Sequence, residues 1–273
     1  FVVFCNDTEK AVSKLKNVPG IQSLSEAKQI LFEDKKDLLK KAKKLCEKEV
    51  KDKIFAVRIK REGKHSFKST EIARELGSAI YNKSKGVDLT NPEVEIFVEI
   101  RRNEAFIFID SIMAIGGLPA GTSDKLLCLF SGGIDSPVAI HEVLKRGCKT
   151  DFLFIDMIGE KNFNDVSKIY NNLINDYCFG FKPKIFIINA KKLVEKIKSD
   201  VHDSLKQIAF KIVLYKISEK IALKNNSLCL VTGKALSQKS SQTLKSLIFI
   251  EKNVEIPVLR PLLKKNKKEI VAK

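Results

Sequence analysis

The stretch that constrains this 273-residue chain most is Leu126-Leu-Cys-Leu-Phe-Ser-Gly-Gly-Ile-Asp-Ser-Pro-Val-Ala139. Its first five residues, Leu126 to Phe130, are largely apolar and read as a strand covered on both faces, as in a parallel sheet. The chain then turns through Ser131, Gly132 and Gly133, where a side chain would keep a ligand away from the backbone N–H groups. Asp135 or Ser136 is placed to cap the helix that follows, and Pro137 suits its first turn. Strand, glycine turn and helix N-terminus aim free N–H groups and a positive dipole end at one spot, which makes an anion cradle. The competing reading is a turn whose glycines only let the helix pack on the sheet. The order of strand, turn and helix favours phosphate binding.

Ser131-Gly-Gly-x-Asp-Ser136 is also the order of the pyrophosphate loop, found in enzymes that adenylylate a substrate with ATP. It lacks the closing Gly-Lys-Ser/Thr of a Walker loop, so γ-phosphate transfer is not implied. Beyond it, strands and helices alternate. A helix runs to about Arg146, a strand covers Asp151–Asp156, and a helix lies near 163–176. Then come the strand Lys184–Ile188, a long helical region near 191–224 and the strand Ser227–Val231. Such alternation predicts an α/β fold with a parallel sheet, its ligands at the carboxyl ends of the strands. The last strand leads into Thr232-Gly233, then Gln238, Ser241 and Gln242, at the same expected edge. Gly233 permits close backbone approach, and Gln242 can read a nucleotide edge or orient a carbonyl. An ordinary capped βα loop fits those residues equally well.

The first half reads differently. Phe1-Val-Val-Phe4 is expected as a strand, followed by a short helix through Lys16 and a turn at Pro19-Gly20. A helix over 37–48 puts Leu38, Leu39, Ala42 and Leu45 on one face with lysines opposite. The strand Lys53–Lys60 runs into the turn Arg61-Glu-Gly-Lys64-His65-Ser-Phe67-Lys68. There Arg61, Lys64 and Lys68 are candidates to hold a nucleic-acid backbone beside an aromatic, the alternative being a solvated turn. A helix over about 69–83 and two strands, Val94–Arg101 and Glu104–Asp110, follow. Residues 116–123, rich in turn formers, read as an interdomain linker.

The formal charge of +17 divides as +5 over residues 1–112 and +12 over 113–273. A surface that basic attracts phosphate polymers, although a lysine-rich proteome would give the same total. The six cysteines (Cys5, Cys46, Cys128, Cys148, Cys178, Cys229) form no Cys-x-x-Cys pair, which argues against a disulfide framework or a zinc site. No apolar run approaches the ~18 residues of a membrane span, and no signal peptide opens the chain. A cytoplasmic location without membrane contact is therefore expected. The chain begins at Phe1 and stops at Lys273 inside a helical pattern, so both ends read as cut.

Taken together, these stretches resemble the tRNA 4-thiouridine synthetase (tRNA uracil 4-sulfurtransferase) family. The matches are Gly116-Gly-Leu-Pro-Ala-Gly-Thr122, Leu129 through Ala139, Lys145-Arg-Gly-Cys148 and Thr232-Gly233…Gln238…Ser241-Gln242-Thr-Leu244. Pro257-Val-Leu-Arg-Pro-Leu262, Val57-Arg-Ile-Lys-Arg61-x-Gly-Lys-His65 and Val87-Asp-Leu-x-Asn-Pro92 complete the set. The resemblance implies a ferredoxin-like remnant over 1–36 and an α+β THUMP domain over 37–112 that grips the tRNA acceptor end. A linker over 113–125 and a pyrophosphate-loop domain over 126–273, incomplete at its C-terminus, would follow. Carried over position by position, the family's ATP contacts fall on Leu129, Phe130, Phe154, Ile155, Lys211, Gly233 and Gln242. Asp135 matches its essential loop aspartate, and Lys267 a functional lysine.

The chemistry thereby implied is adenylylation of uracil O4, followed by displacement of AMP by persulfide sulfur. ATP and Mg²⁺ are the expected cofactors, with loop N–H groups and Ser131 and Ser136 on the phosphates. The expected partners are tRNA, a cysteine desulfurase or other persulfide donor, and a second copy in a homodimer. A role in sulfur transfer for thiamine synthesis is implied as well. In the family, the cysteine that handles persulfide lies downstream of Arg260-Pro261-Leu262, past the end of this chain. Four departures from the family's pattern stand out: Lys211 stands for Arg, Ile212 for a basic residue, Lys234-Ala235 for Glu-Ser, and Asn266 for Asp. Lys211 keeps a charge but loses bidentate phosphate contact. Two rival readings are an amide-forming ligase with the same loop, and a tRNA-binding protein whose ATP site has decayed.

Overall fold

A computed structural model describes residues 1–157, 161–234 and 244–271. The chain divides into two compact units, one of Phe1–Thr8 and Ser23–Met113, the other of Glu9–Gln22 and Ala114–Lys273. Residues 1–36, expected as one remnant, are thus shared between them. Phe1–Phe4 is exposed and forms no strand, although it lines a surface hollow with Gln29, Phe97 and Phe106.

After helix α1 (Thr8–Leu15), the first unit holds strands β1 (Ser23–Leu24) and β2 (Lys28–Leu31), helix α2 (Lys35–Cys46) and strand β3 (Ile54–Glu62). Helix α3 (Ser69–Ile80) ends in a tighter turn over Tyr81–Lys83. Strands β4 (Gly86–Val87), β5 (Val94–Arg101), β6 (Glu104–Phe108) and β7 (Ile112–Met113) complete it. Five strands form a mixed sheet in the order β2-β6-β5-β3-β4. Strand β5 alternates: Val94, Ile96, Val98 and Ile100 are buried, while Glu95, Phe97, Glu99 and Arg101 lie on the other face. That is the period of a strand covered on one side. Leu38, Ala42 and Cys46 of α2 and Ile72, Leu76 and Ile80 of α3 bury their apolar stripes in the same core. Asp34 caps α2, its carboxylate accepting from Asp37 N at 2.8 Å.

The second unit continues with β8 (Leu118–Phe130), α4 (Asp135–Lys145), β9 (Arg146–Asp156), α5 (Lys161–Tyr177), β10 (Ile185–Asn189), α6 (Lys191–Asp200) and α7 (Asp203–Lys224). Then come β11 (Cys229–Val231), α8 (Leu244–Glu251), β12 (Val258–Leu259) and α9 (Lys267–Val271). Its strands are all parallel, in the order β10-β9-β8-β11-β12. Strand β8 lies at the centre with both faces covered. Cys128 and Phe130 pack with Ile140, Leu144 and Phe152 on one side, Leu127 with Ala222 and Leu230 on the other.

This strand begins eight residues before the expected Leu126, so most of the predicted linker is β structure. The long pairing depends on Gly147 of β9, at φ +80°. A Cβ there would stand 2.1 Å from Thr122 Oγ1 and 2.8 Å from Pro119 O. The helical region near 191–224 is two helices. Val201 is extended (φ −114°, ψ 136°), and the His202 imidazole accepts from Ser204 N to start α7.

Candidate functional site

Because β8, β9 and β11 run parallel, their carboxyl ends share one edge of the sheet. Leu129 and Phe130 close β8, and Phe154 of β9 lies in register with Phe130, followed by Ile155. Phe130 and Phe154 are buried on the α4 side, and Leu129 and Ile155 are half-buried on the other. Gly233 comes two residues after β11. A Cβ at Gly233 would stand 2.7–2.8 Å from the Asp135 carbonyl and Ser136 N, so this backbone presses on the first turn of α4. The structure therefore gathers Leu129, Phe130, Ser131–Gly133, Asp135, Ser136, Phe154, Ile155 and Gly233 at one edge.

Neither Asp135 nor Ser136 caps α4. The cap position is Ile134, in helical backbone and without a side-chain hydrogen bond. Ser136 is buried, and its hydroxyl closes the loop on itself. Its oxygen accepts from Ser131 N at 3.0 Å, donates to Ser131 O at 2.9 Å and lies 3.2 Å from Ser131 Oγ. Ser131, Gly132 and Gly133 are exposed. A Cβ at Gly132 would meet only Val166 Cγ2, and one at Gly133 only Ser131 Oγ, each at 3.7 Å, and neither glycine has a positive φ. Among the described residues, packing leaves room for a Cβ at both positions.

Lys211 is half-buried on α7 and engaged with a neighbour. Gln242 lies outside the described residues. Lys267 is exposed at the start of α9, where Asn266 Oδ1 caps the helix by accepting from Glu269 N at 3.0 Å. That segment is anchored on α4 by Leu262, Ile270 and the Lys265–Glu142 ion pair at 2.8 Å. No described contact joins Lys267 to the loop.

Sequence reasoning did not anticipate the surroundings of Lys234. Its Nζ donates to Tyr215 Oη at 2.8 Å and lies 4.6 Å from the ring centroid. Burial, then the Arg260 guanidinium, push the ammonium down to about 8 against the pull of Glu251. The thiols move the other way. Burial pushes Cys46 and Cys178 up to about 12 and raises Cys128, Cys148 and Cys229. None of these five has the depressed pKa of a reactive thiolate.

In the first unit, the basic turn is a built feature. Arg61 is the last residue but one of β3, Lys64 follows Gly63 (φ +95°), and Lys68 precedes α3, with Lys64 and Lys68 exposed. His65 Nε2 donates to Arg102 O at 2.6 Å, its ring lies 5.2 Å from Phe67, and Arg61 Nη1 donates to His65 O at 3.4 Å. Arg102, in the β5–β6 turn at φ 55°, is thereby brought beside the predicted trio. Its position was not legible from the sequence, because the link is tertiary.

Residues 121–273 match the family described as thiamine biosynthesis protein (ThiI), and residues 32–110 match the THUMP domain. The chain is 41% identical over 266 residues to a probable tRNA sulfurtransferase of Saccharolobus solfataricus, covering 97% of this chain and 71% of that protein. It is 37% identical over 264 residues to a tRNA sulfurtransferase of Desulfurococcus amylolyticus, covering 96% of this chain but only 55% of that relative. A solved 4-thiouridine synthetase–RNA complex with bound ATP superposes with a TM-score of 0.85 at 33% identity, over 99% of this chain and 71% of that one.

Proposed function

The chain belongs to the ThiI family, and from that premise we propose that it carries out ATP-dependent activation of a uridine in tRNA, the first half of 4-thiouridine formation. The observation that supports this most is the meeting of Gly233 with the first turn of α4, beside an exposed glycine loop.

The loop N–H groups bind the ATP phosphates, and the buried Ser136 hydroxyl keeps that loop in shape. Leu129, Phe130, Phe154, Ile155, Lys211, Gly233 and Gln242 surround the nucleotide, and Asp135 acts at the loop. Uracil O4 attacks the α-phosphate, pyrophosphate leaves, and C4 then carries AMP as a leaving group. The protein contributes position and a preorganised field. Mg²⁺, for which Asp135 is the candidate carboxylate, would supply neutralising charge to the phosphates when bound.

Residues 37–112 with Arg61, Lys64 and Lys68 hold the tRNA, and residues 126–273 adenylylate it. Lys267 completes the activating site. A persulfide donor such as a cysteine desulfurase provides sulfur, and the same sulfur transfer serves thiamine synthesis. A homodimer is the candidate assembly. No helix among the described residues is long and apolar enough to cross a membrane, and we place the activity in the cytoplasm with its tRNA.

Pyrophosphate exchange with and without tRNA tests the reading. Exchange that requires tRNA is expected. Exchange supported by a carboxylate substrate instead would mark an amide-forming ligase, and tRNA binding without any exchange a decayed site.

A further inference from the structure

Beside the Gly233 contact lies a charge cluster that the proposed chemistry leaves unused. Lys234 follows Gly233 directly, so its Cα is about 3.8 Å from that of the residue pressed against α4. Its ammonium bonds Tyr215, which is buried on α7 one turn beyond Lys211. Arg260, with its side chain 10% exposed, pairs with Glu251 of α8 and gives Nη1 to Val258 O at 3.4 Å. Its Nε and Nη2 and the Thr232 Oγ1 are buried, and both side chains face the Tyr215 hydroxyl. Among the described residues of this cluster, two cations therefore share one carboxylate. Surplus charge removed from water is costly, and salt screens it little.

We propose that Lys234 is a positioning residue for the anion at the Ser131–Ser136 loop, taking up a proton as a polyphosphate binds so that its charge supports that anion without touching it. The inference rests on the nucleotide reading. The groups facing the ammonium are Arg260, Glu251, Tyr215 and Thr232. With its ammonium held down to about 8, Lys234 is about half charged at pH 8 in the free protein. A polyanion one residue away favours the charged form and draws a proton from the buffer. Burial raises the Tyr215 hydroxyl, which stays neutral. It accepts from the ammonium and can donate to the free amine, so the hydrogen bond survives in both states.

The test is calorimetric titration of ATP into the full chain at pH 7, 8 and 9, in buffers of different ionisation enthalpy. Net proton uptake should rise from pH 7 to pH 8, where it is at most about half a proton per ATP. Lys234→Met should bind ATP without that increment, and protonation of ATP itself cancels in the difference. Equal uptake by both proteins overturns the inference alone. Absence of ATP binding by the parent chain overturns the nucleotide reading and this inference with it. Should Lys234→Met fail to fold, the parent chain decides through its ¹³C-labelled lysine ε signals. One signal should titrate near 8 without ATP and higher with it, and a set with no such signal overturns the proposal.

Discussion

Asp135 stands where the two loops meet, with its backbone against Gly233, in the first turn of α4. Asp135→Ala removes a carboxylate that caps nothing, so the fold should persist while tRNA-dependent AMP formation disappears. Circular dichroism together with AMP release in the presence of tRNA checks this, and AMP formation at the parental rate would remove Asp135 from the mechanism. The neighbouring Ser136 has a different task from the one its position suggests. A serine one residue into a helix normally bonds N–H groups further along. Here it is pulled back onto Ser131, because the loop reverses over it.

The glycines separate at the scale of the element. Among the described residues, a Cβ at Gly133 would make only an ordinary contact with Ser131 Oγ, so Gly133→Val should fold and lose ATP binding. Gly233 has backbone atoms within 3 Å of where a Cβ would be. Gly233→Ala must shift β11's loop or α4, at about 1–3 kcal/mol of stability as well as nucleotide affinity. Denaturant melts and ATP titrations of the two variants should therefore differ in kind, and equal stability loss would refute the distinction. The basic turn is an element too. Its arrangement depends on His65 reaching the carbonyl of Arg102 across the sheet end. Neutralising Arg61, Lys64 and Lys68 together should weaken tRNA binding. It should also flatten the salt dependence by about one unit for each phosphate left without its cation. An unchanged slope would make the turn a solvated surface.

For the whole molecule, the deciding fact is where the thiols lie. Five of the six cysteines are fully or partly buried, and burial raises their pKa values, so they offer no thiolate to a persulfide near neutral pH. Residues 1–273 alone should activate tRNA but form no catalytic quantity of 4-thiouridine with ATP, Mg²⁺ and a cysteine desulfurase. Thiouridine absorbance in the recovered tRNA reads this. Turnover that vanishes in Cys148→Ser or Cys178→Ser would relocate the sulfur chemistry to this chain.

The pyrophosphate loop was legible in the sequence because its physics is local. Strand, glycine turn and helix lie within fourteen consecutive residues, and apolar runs alternating with helical patterns dictate a parallel sheet. The same locality misled at Phe1–Phe4, whose apolar residues lie exposed beside the sheet without joining it. It also passed over Lys28–Leu31, which becomes β2 only because β6 offers it an edge. Packing alone brought Lys234 to Tyr215, Arg260 to Glu251 and His65 to Arg102. Those partners lie between 9 and 37 positions apart. Charges so far apart in the chain acquire a common environment only when the sheet brings their strand ends together and burial removes the water between them.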